Sequence, residues 1–451
     1  MTNRHTHKPA IVGAPVARTM FTLAVPSLCM SMLFSAVFAV EAAFVAQVGT
    51  QALAAVAVVF PMVMLSAMWS GGAFGGAIAG AAARASGAQD DARLDSIVTA
   101  AFCVAVSGGV VMYLIFMLSA SAIFSFSTSD DAVIAAAGVY ADIVIPGLIL
   151  FWFLNTTSSI MRGCGDIVRP AVCWAVQLLA FILFAVFLIL PHKEDTHAAM
   201  AGAAWTMNLS LLVGLVAIVF AYFQSGRRAV PRLSSFNAAI TIKIFRQGLL
   251  AGSQSLMTIA YAFTATALFS RYGVEWLAGY GMAVRLELIL MPLVFGIGMV
   301  LIPMCGAYLG ASRRTDAVRI AWFGVGLNFV IITALGFIVA WQPQWWCDSS
   351  SQGAVVGGYC RQSLQIIAPT YGIFAVGLTC YIASQAFNTL KVPVVGAFLR
   401  LLIVASGFLW VHAGTEPRYL LWLIVTAVVV YGVSIAVMLY TGPWSVKKIK
   451  A

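Results

Sequence analysis

Charge is what this sequence has least of. Only 9% of its 451 residues are Asp, Glu, Lys or Arg, and the acidic ones number 15. A water-facing surface needs far more than that, so no soluble domain of useful size can be drawn from this chain. The common catalytic signatures are missing as well. There is no G-x-x-x-x-G-K-[ST] loop to cradle a nucleotide, and no H-E-x-x-H, paired C-x-x-C or G-x-S-x-G. The Gly-rich stretch MRGCGDIVRP (161–170) follows an apolar helix rather than a strand and reads as a tight turn. An enzyme therefore has no residue support, and neither a cofactor nor a bound metal is expected.

What is present is hydrophobic: 62% of the residues, with a mean hydropathy of +0.98. A spanning helix needs about 20 apolar residues, so the roughly 280 available here supply about a dozen spans with short connections. Apolar runs bounded by charges or turn residues fall at 19–46, 52–83, 96–124, 132–160, 169–190, 198–223, 247–270, 277–310, 320–341, 363–387, 393–413 and 419–440. The fold class expected is an all-α integral membrane protein with twelve transmembrane helices in two pseudo-symmetric six-helix bundles. The first run is too long for a signal-peptide core and is read as an uncleaved helix.

The formal charge of +10 raises the question of a nucleic-acid partner, and the distribution of the charge answers it. With the N-terminus inside, the outer segments hold four basic residues, Lys193, Arg271, Arg361 and Arg418. Arg285 and Arg400 fall within spans, and the remaining nineteen of 25 gather on the inner side. That is the bias expected of a multi-pass protein of the cell inner membrane with both termini cytoplasmic. Its partners are then the lipid bilayer and small molecules, without nucleic acid.

The longest inner connection, 225–246, carries five basic residues at the midpoint of the chain. It divides an N-terminal lobe (1–224, helices 1–6) from a C-terminal lobe (247–451, helices 7–12 and a short tail). A repeat joins the two. At an offset of 223, Gly87-Ala88 matches Gly310-Ala311, Pro146 matches Pro369, Phe151 matches Phe374 and Pro170 matches Pro393; at 224, residues 48–59 match 272–283. Six spans per half make the repeats parallel, an arrangement used by alternating-access transporters in which the substrate path runs between bundles.

Ionisable groups at bilayer depth are costly and so are candidate functional sites. Glu41 lies between two apolar runs with no basic residue nearby in sequence. Asp142 sits at the repeat equivalent of Gln365. Arg285 and Glu287, at i and i+2, point to different helix faces and each needs a partner elsewhere or a wet cavity. Arg400 is expected to snorkel or to support packing. Uncharged polar groups at depth, among them Gln254, Tyr261, Tyr371 and Gln385, are candidate substrate or second-site residues or plain interhelical hydrogen bonds. Cys347 and Cys360 share the one long outer loop, 342–361, and a disulfide closing it is expected if that side is oxidising.

Four stretches resemble the multidrug and toxic compound extrusion (MATE) family: VEAAFVAQVGTQALAAVAVVFP (40–61), ARASGAQDDARLD (83–95), SSIMRGCGDIVRPA (158–171) and YGMAVRLELILMPLVFGIGMVLIPMCGAYLGA (280–311). The resemblance spans nearly the whole chain. It implies a twelve-helix, two-lobed antiporter, a monomer, exporting amphipathic, often cationic, organic compounds (multidrug efflux) in exchange for H+ or Na+. It places the ion-coupling carboxylate on Glu41, where Asp is usual, with Asn155, Gln177 and Thr206 around it. The second carboxylate held by some members is Phe181 here, which leaves a Na+ shell short of oxygens and favours H+. Two alternatives stand beside this reading: a flippase for lipid-linked or polysaccharide precursors, which calls for a wide cationic cavity, and a non-transporting membrane receptor or assembly subunit.

Overall fold

Hydrocarbon offers a backbone no hydrogen-bonding partners, so a chain this apolar must satisfy each N–H and C=O within its own segment. The computed structural model accordingly contains helices and no strand among its described residues, 11–226, 229–348, 353–411 and 415–445. The basic residues Arg4, Lys8, Arg227, Arg228, Lys447, Lys448 and Lys450 of the charge count lie outside them. Twelve long helices follow one another: α1 (Val16–Val45), α2 (Thr50–Gly87), α3 (Asp91–Ser127), α4 (Asp131–Gly163), α5 (Val168–Leu188) and α6 (Thr196–Gln224), then α7 (Ala238–Phe269), α8 (Val274–Gly310), α9 (Arg314–Trp341), α10 (Ala354–Phe387), α11 (Lys391–Trp410) and α12 (Pro417–Thr441). Eleven are both long and apolar enough to cross a membrane; α7, with Ser253, Gln254, Ser255, Thr258 and Tyr261 in mid-helix, is the polar exception.

Two expected boundaries move. Residues 238–246, read as linker, are the opening turns of α7, because Ile240, Ile244 and Gly248 recur at helical spacing. Residues 354–361, read as outer loop, are the opening turns of α10.

The chain divides into two compact units, Met1–Leu249 and Leu250–Ala451. Within the first, α4 packs along α2, α3 and α6, and α5 pairs with α1 and α6. Within the second, α10 packs along α8, α9 and α12, and α11 pairs with α12. The helix at position four of each half is thus its hub. The backbone repeats too. Gln89 and Ser312, 223 residues apart, both take left-handed φ of 55° and 59°; Gly165 and Asn388, also 223 apart, take 90° and 59°. Gly49 and Gly273 open α2 and α8 with φ of 147° and 99°. Three turns of unusual hand recurring at offsets of 223, 223 and 224 are hard to obtain except from a duplicated unit.

Departures from ideal helix fall at two places. Met68–Phe74 in α2 winds as a π-helix within its glycine run, where Gly71 and Gly75 let α4 approach so closely that added Cβ atoms would meet Asn155 Oδ1 at 3.0 Å and Ser159 Oγ at 2.6 Å. Ala368–Thr370 tightens to a 3-10 turn around Pro369, which lacks the N–H an α-helix needs there.

Candidate functional site

Glu41 stands four residues before the last helical residue of α1, about 6 Å along the axis. It is 2% exposed, so it does not snorkel to water. The negative end of the α1 dipole gives a carboxylate no support there. Its partner comes from α4: the Tyr140 hydroxyl, itself buried, donates to Glu41 Oε1 at 2.5 Å. No cation pairs with Glu41 among the described residues. On the turns of α1 before Glu41, Phe34 is set edge-on against Phe151 and Trp174, and Phe38 against Phe60.

Of the residues expected to surround Glu41, Asn155 is placed elsewhere. Asn155 lies fifteen residues beyond Tyr140 on α4, about 22 Å along the helix, and donates to Ser70 Oγ at 2.9 Å. It is therefore part of the α2–α4 seam and not of the Glu41 shell. Gln177 donates to Ser210 Oγ at 3.1 Å, joining α5 to α6. Trp174 packs on Phe34, and α1 and α5 run in the same direction, so Gln177 falls about one turn short of Glu41. Thr206, one turn before Ser210, is fully buried. Gln177 Oε1 and Thr206 Oγ1 find no hydrogen-bond partner among the described residues. Asp142, two residues past Tyr140 and on another face, is exposed. Tyr140 is the residue sequence reasoning missed, since one neutral tyrosine among 13 carries no signal of its own.

In the second unit the candidates do converge. Tyr261, Tyr280, Glu287, Tyr371 and Phe374 line one pocket with room for about one water molecule. Arg400 on α11 is 4% exposed and does not snorkel, which corrects one of its two expected roles. Its guanidinium lies 3.6 Å over the Tyr261 ring, 4.9 Å from that of Phe374 and 5.5 Å from that of Tyr431. It is also hydrogen-bonded to Tyr261 and feels the charge of Glu287. Aromatic faces accept a desolvated cation at a gain of about 2 kcal/mol, which is why α11 can carry it inward. Gln254 donates to the Tyr431 hydroxyl at 3.0 Å, extending the network to α12. Gln385 is buried, its Oε1 without a partner among the described residues, and Arg285 is exposed, away from the pocket lining.

Cys347 and Cys360 are bridged, with Cα atoms 5.8 Å apart. The bridge ties the short helix Gln344–Cys347 to α10 beside the start of α8, where Trp346 Nε1 donates to the Met282 carbonyl at 2.8 Å and Arg361 pairs with Asp348 at 3.2 Å.

This arrangement meets its relatives at the level of the whole chain. A family model described as MatE matches residues 26–187 and 251–410. The chain belongs to the MatE family. The two matched segments begin 225 residues apart and end 223 apart, bracketing the offset of the internal repeat. A FAD transporter of Shewanella oneidensis is 21% identical over 405 residues, covering 84% of this chain and 85% of that protein. A probable multidrug resistance protein NorM of Thermotoga maritima is 20% identical over 273 residues, covering 57% and 56%. Among solved structures, a MOP superfamily transporter from Pyrococcus furiosus, reported with a binding pocket of reverse polarity, superposes with a TM-score of 0.87 at 18% identity over all of both chains. An outward-facing multidrug resistance MATE transporter gives 0.85 at 19% identity, covering 99% of this chain and 100% of the other. MATE proteins are transporters, so this multi-pass membrane protein is a transporter and not an enzyme.

Proposed function

We propose that this MATE transporter is a secondary antiporter exporting amphipathic, often cationic, small molecules in exchange for H+, with Glu41 as the coupling carboxylate. The observation that carries the reading is the setting of Glu41: closed to water, paired to no cation, and held by one neutral hydroxyl. A carboxyl so placed is accommodated by taking up a proton or a cation. With Tyr140 as its hydrogen-bond partner and no second carboxylate at Phe181, a cage of oxygens for Na+ is lacking and a proton is the simpler occupant. Coupling then requires that the two arrangements of the transporter differ in their affinity for that proton.

The test is transport in reconstituted vesicles under an imposed pH gradient and, separately, an imposed Na+ gradient. Glu41→Gln holds the side chain neutral at nearly constant size. It is expected to give a folded, inserted protein without gradient-driven export, and Glu41→Asp to retain part. Undiminished proton-driven export by the Gln variant would refute the assignment and move suspicion to Glu287.

A second reading, export of an aromatic anion, draws support from the buried Arg400 among stacking rings and from the substrate of the Shewanella relative. A panel pairing organic cations and dyes with a flavin dinucleotide separates the two. The wide cationic cavity a lipid-precursor flippase calls for has no counterpart in the pocket beside Arg400, which admits about one water.

A further inference from the structure

The connection between the two repeats is fastened to the first unit. Tyr222, near the end of α6, donates to the Ala229 carbonyl at 2.5 Å, and Ala229 is buried. Three residues on, the Arg232 N–H donates to Thr99 Oγ1 of α3 at 3.1 Å, and that hydroxyl lies 3.3 Å from the Arg232 carbonyl oxygen. The second of these attachments also sets a depth. Asp95 is the last charged residue of α3 before a run that stays uncharged to Ser129, and Thr99 stands one turn into that run. At 37 residues α3 is about 55 Å long, well beyond the roughly 30 Å of hydrocarbon in a bilayer. Its charged first turns therefore belong to the headgroup region and Thr99 to the edge of the hydrocarbon, so the connection crosses α3 at the level of the lipid interface.

What the connection exposes at that level is apolar. Leu233 is 97% exposed and Phe236 51%. They stand three residues apart on and just after the 3-10 turn Leu233–Ser235, a spacing at which side chains point the same way. Attachment at Arg232 on one side and the start of α7 on the other keep them from folding back onto protein. Cations accompany them. Arg232, Lys243 and Arg246 are exposed, and none forms an ion pair among the described residues, with Asp91 and Asp95 of α3 included. From Thr196 to Val274 the chain has no acidic residue at all. Apolar side chains ringed by cations without carboxylates match the surface of an anionic leaflet. We propose that residues 232–246 are a membrane anchor, seated in the anionic headgroups of the inner leaflet with Leu233 and Phe236 inserted among the upper acyl carbons. The proposal rests on the orientation that the charge bias predicts and on no part of the coupling role given to Glu41.

The test places a photoreactive side chain on the full chain, as Phe236→p-benzoylphenylalanine and, for comparison, Ala88→p-benzoylphenylalanine. Ala88 is exposed in the turn that leads into α3, on the water side of the charged first turns. Both positions are exposed enough to take the larger ring without repacking. Each protein is reconstituted in vesicles of equal phosphatidylcholine and phosphatidylglycerol, irradiated, and read by intact-mass spectrometry for covalently added phospholipid. Adducts are expected at 236 about five times as often as at 88. Those of phosphatidylglycerol should outnumber those of phosphatidylcholine about three-fold at low ionic strength, with the excess shrinking as salt is raised. Changing Arg232→Gln, Lys243→Gln and Arg246→Gln together should remove most of that excess while the total adduct yield at 236 stays near that of the parent. Adducts no more frequent at 236 than at 88 overturn the proposal. Equal yields of the two lipids at low ionic strength, or an excess unchanged in the triple variant, overturn the anionic leaflet as what these cations meet.

Discussion

Glu41 and Arg400 are both shut away from water, and the chain accommodates them in opposite ways. The carboxylate has one hydroxyl and no counter-charge; the guanidinium has three aromatic faces, a tyrosine hydrogen bond and Glu287 within electrostatic reach. The first arrangement is open to exchange of its occupant and the second is not. Tyr140→Phe keeps the ring and its packing and deletes only the hydroxyl. A hydrogen bond to a charged group contributes about 1.5–3 kcal/mol, so the variant should unfold at a lower temperature than the parent, and if Glu41 is the coupling carboxylate proposed above, gradient-driven export should fall about ten-fold. Export at parental rate would show that Glu41 works without this bond. Arg400→Lys keeps the charge but not the planar group that stacks on Tyr261. A loss of about 1–2 kcal/mol is expected, seen as a lower unfolding midpoint in detergent, and an unshifted midpoint would argue against the aromatic cage as the source of its stability.

Helices pack in lipid through small residues that bring backbones together, because burial of apolar side chains gains little there. Gly202 of α6 is such a residue: a Cβ added to it would lie 2.0 Å from the Leu188 carbonyl oxygen at the end of α5, a backbone atom that cannot step aside. Gly138 of α4 has nothing within 4 Å. Gly202→Ala should therefore destabilise by about 1–3 kcal/mol, whereas Gly138→Ala should be neutral or stabilising by up to about 1 kcal/mol through helix propensity. Equal unfolding midpoints for the two variants would contradict the close approach. At this scale the sequence was easy to read. Runs of apolar residues marked the twelve long helices, and the prolines and paired Gly-Ala steps marked the repeat. The ends of α7 and α10 were harder to find, because Lys243, Arg246 and the Gly357-Gly358 pair look like loop while the helix pattern runs through them. The sites were less legible still. Glu41 and Glu287 stand out as charges in apolar runs, but Tyr140 lies 99 residues from its partner. The cage around Arg400 draws on α7, α10 and α12, which only tertiary packing brings together.

The molecule as a whole is a duplicated unit whose halves have kept their packing but differ in where they bury charge. Turns of the same hand and the same helix pairs recur across 223 residues, while Glu41 has no charged counterpart at the matching depth of α7, and Arg400 none in α5. Orientation in the bilayer is what gives this asymmetry a direction. Nineteen of the 25 basic residues gather on one side and four on the other; the side with few basic residues also carries the bridged pair Cys347 and Cys360. Lys and Arg accumulate on the cytoplasmic face and disulfides persist on the oxidising one, so two unrelated chemistries predict the same orientation. Lys193, exposed in the connection between α5 and α6, is then expected to face outward, and Ser234, exposed in the connection between α6 and α7, inward. Lys193→Cys should react with a membrane-impermeant maleimide in intact cells, above the background of the parent chain. Ser234→Cys should react only after the membrane is permeabilised. Labelling of Ser234→Cys from outside, with Lys193→Cys protected, would invert the orientation.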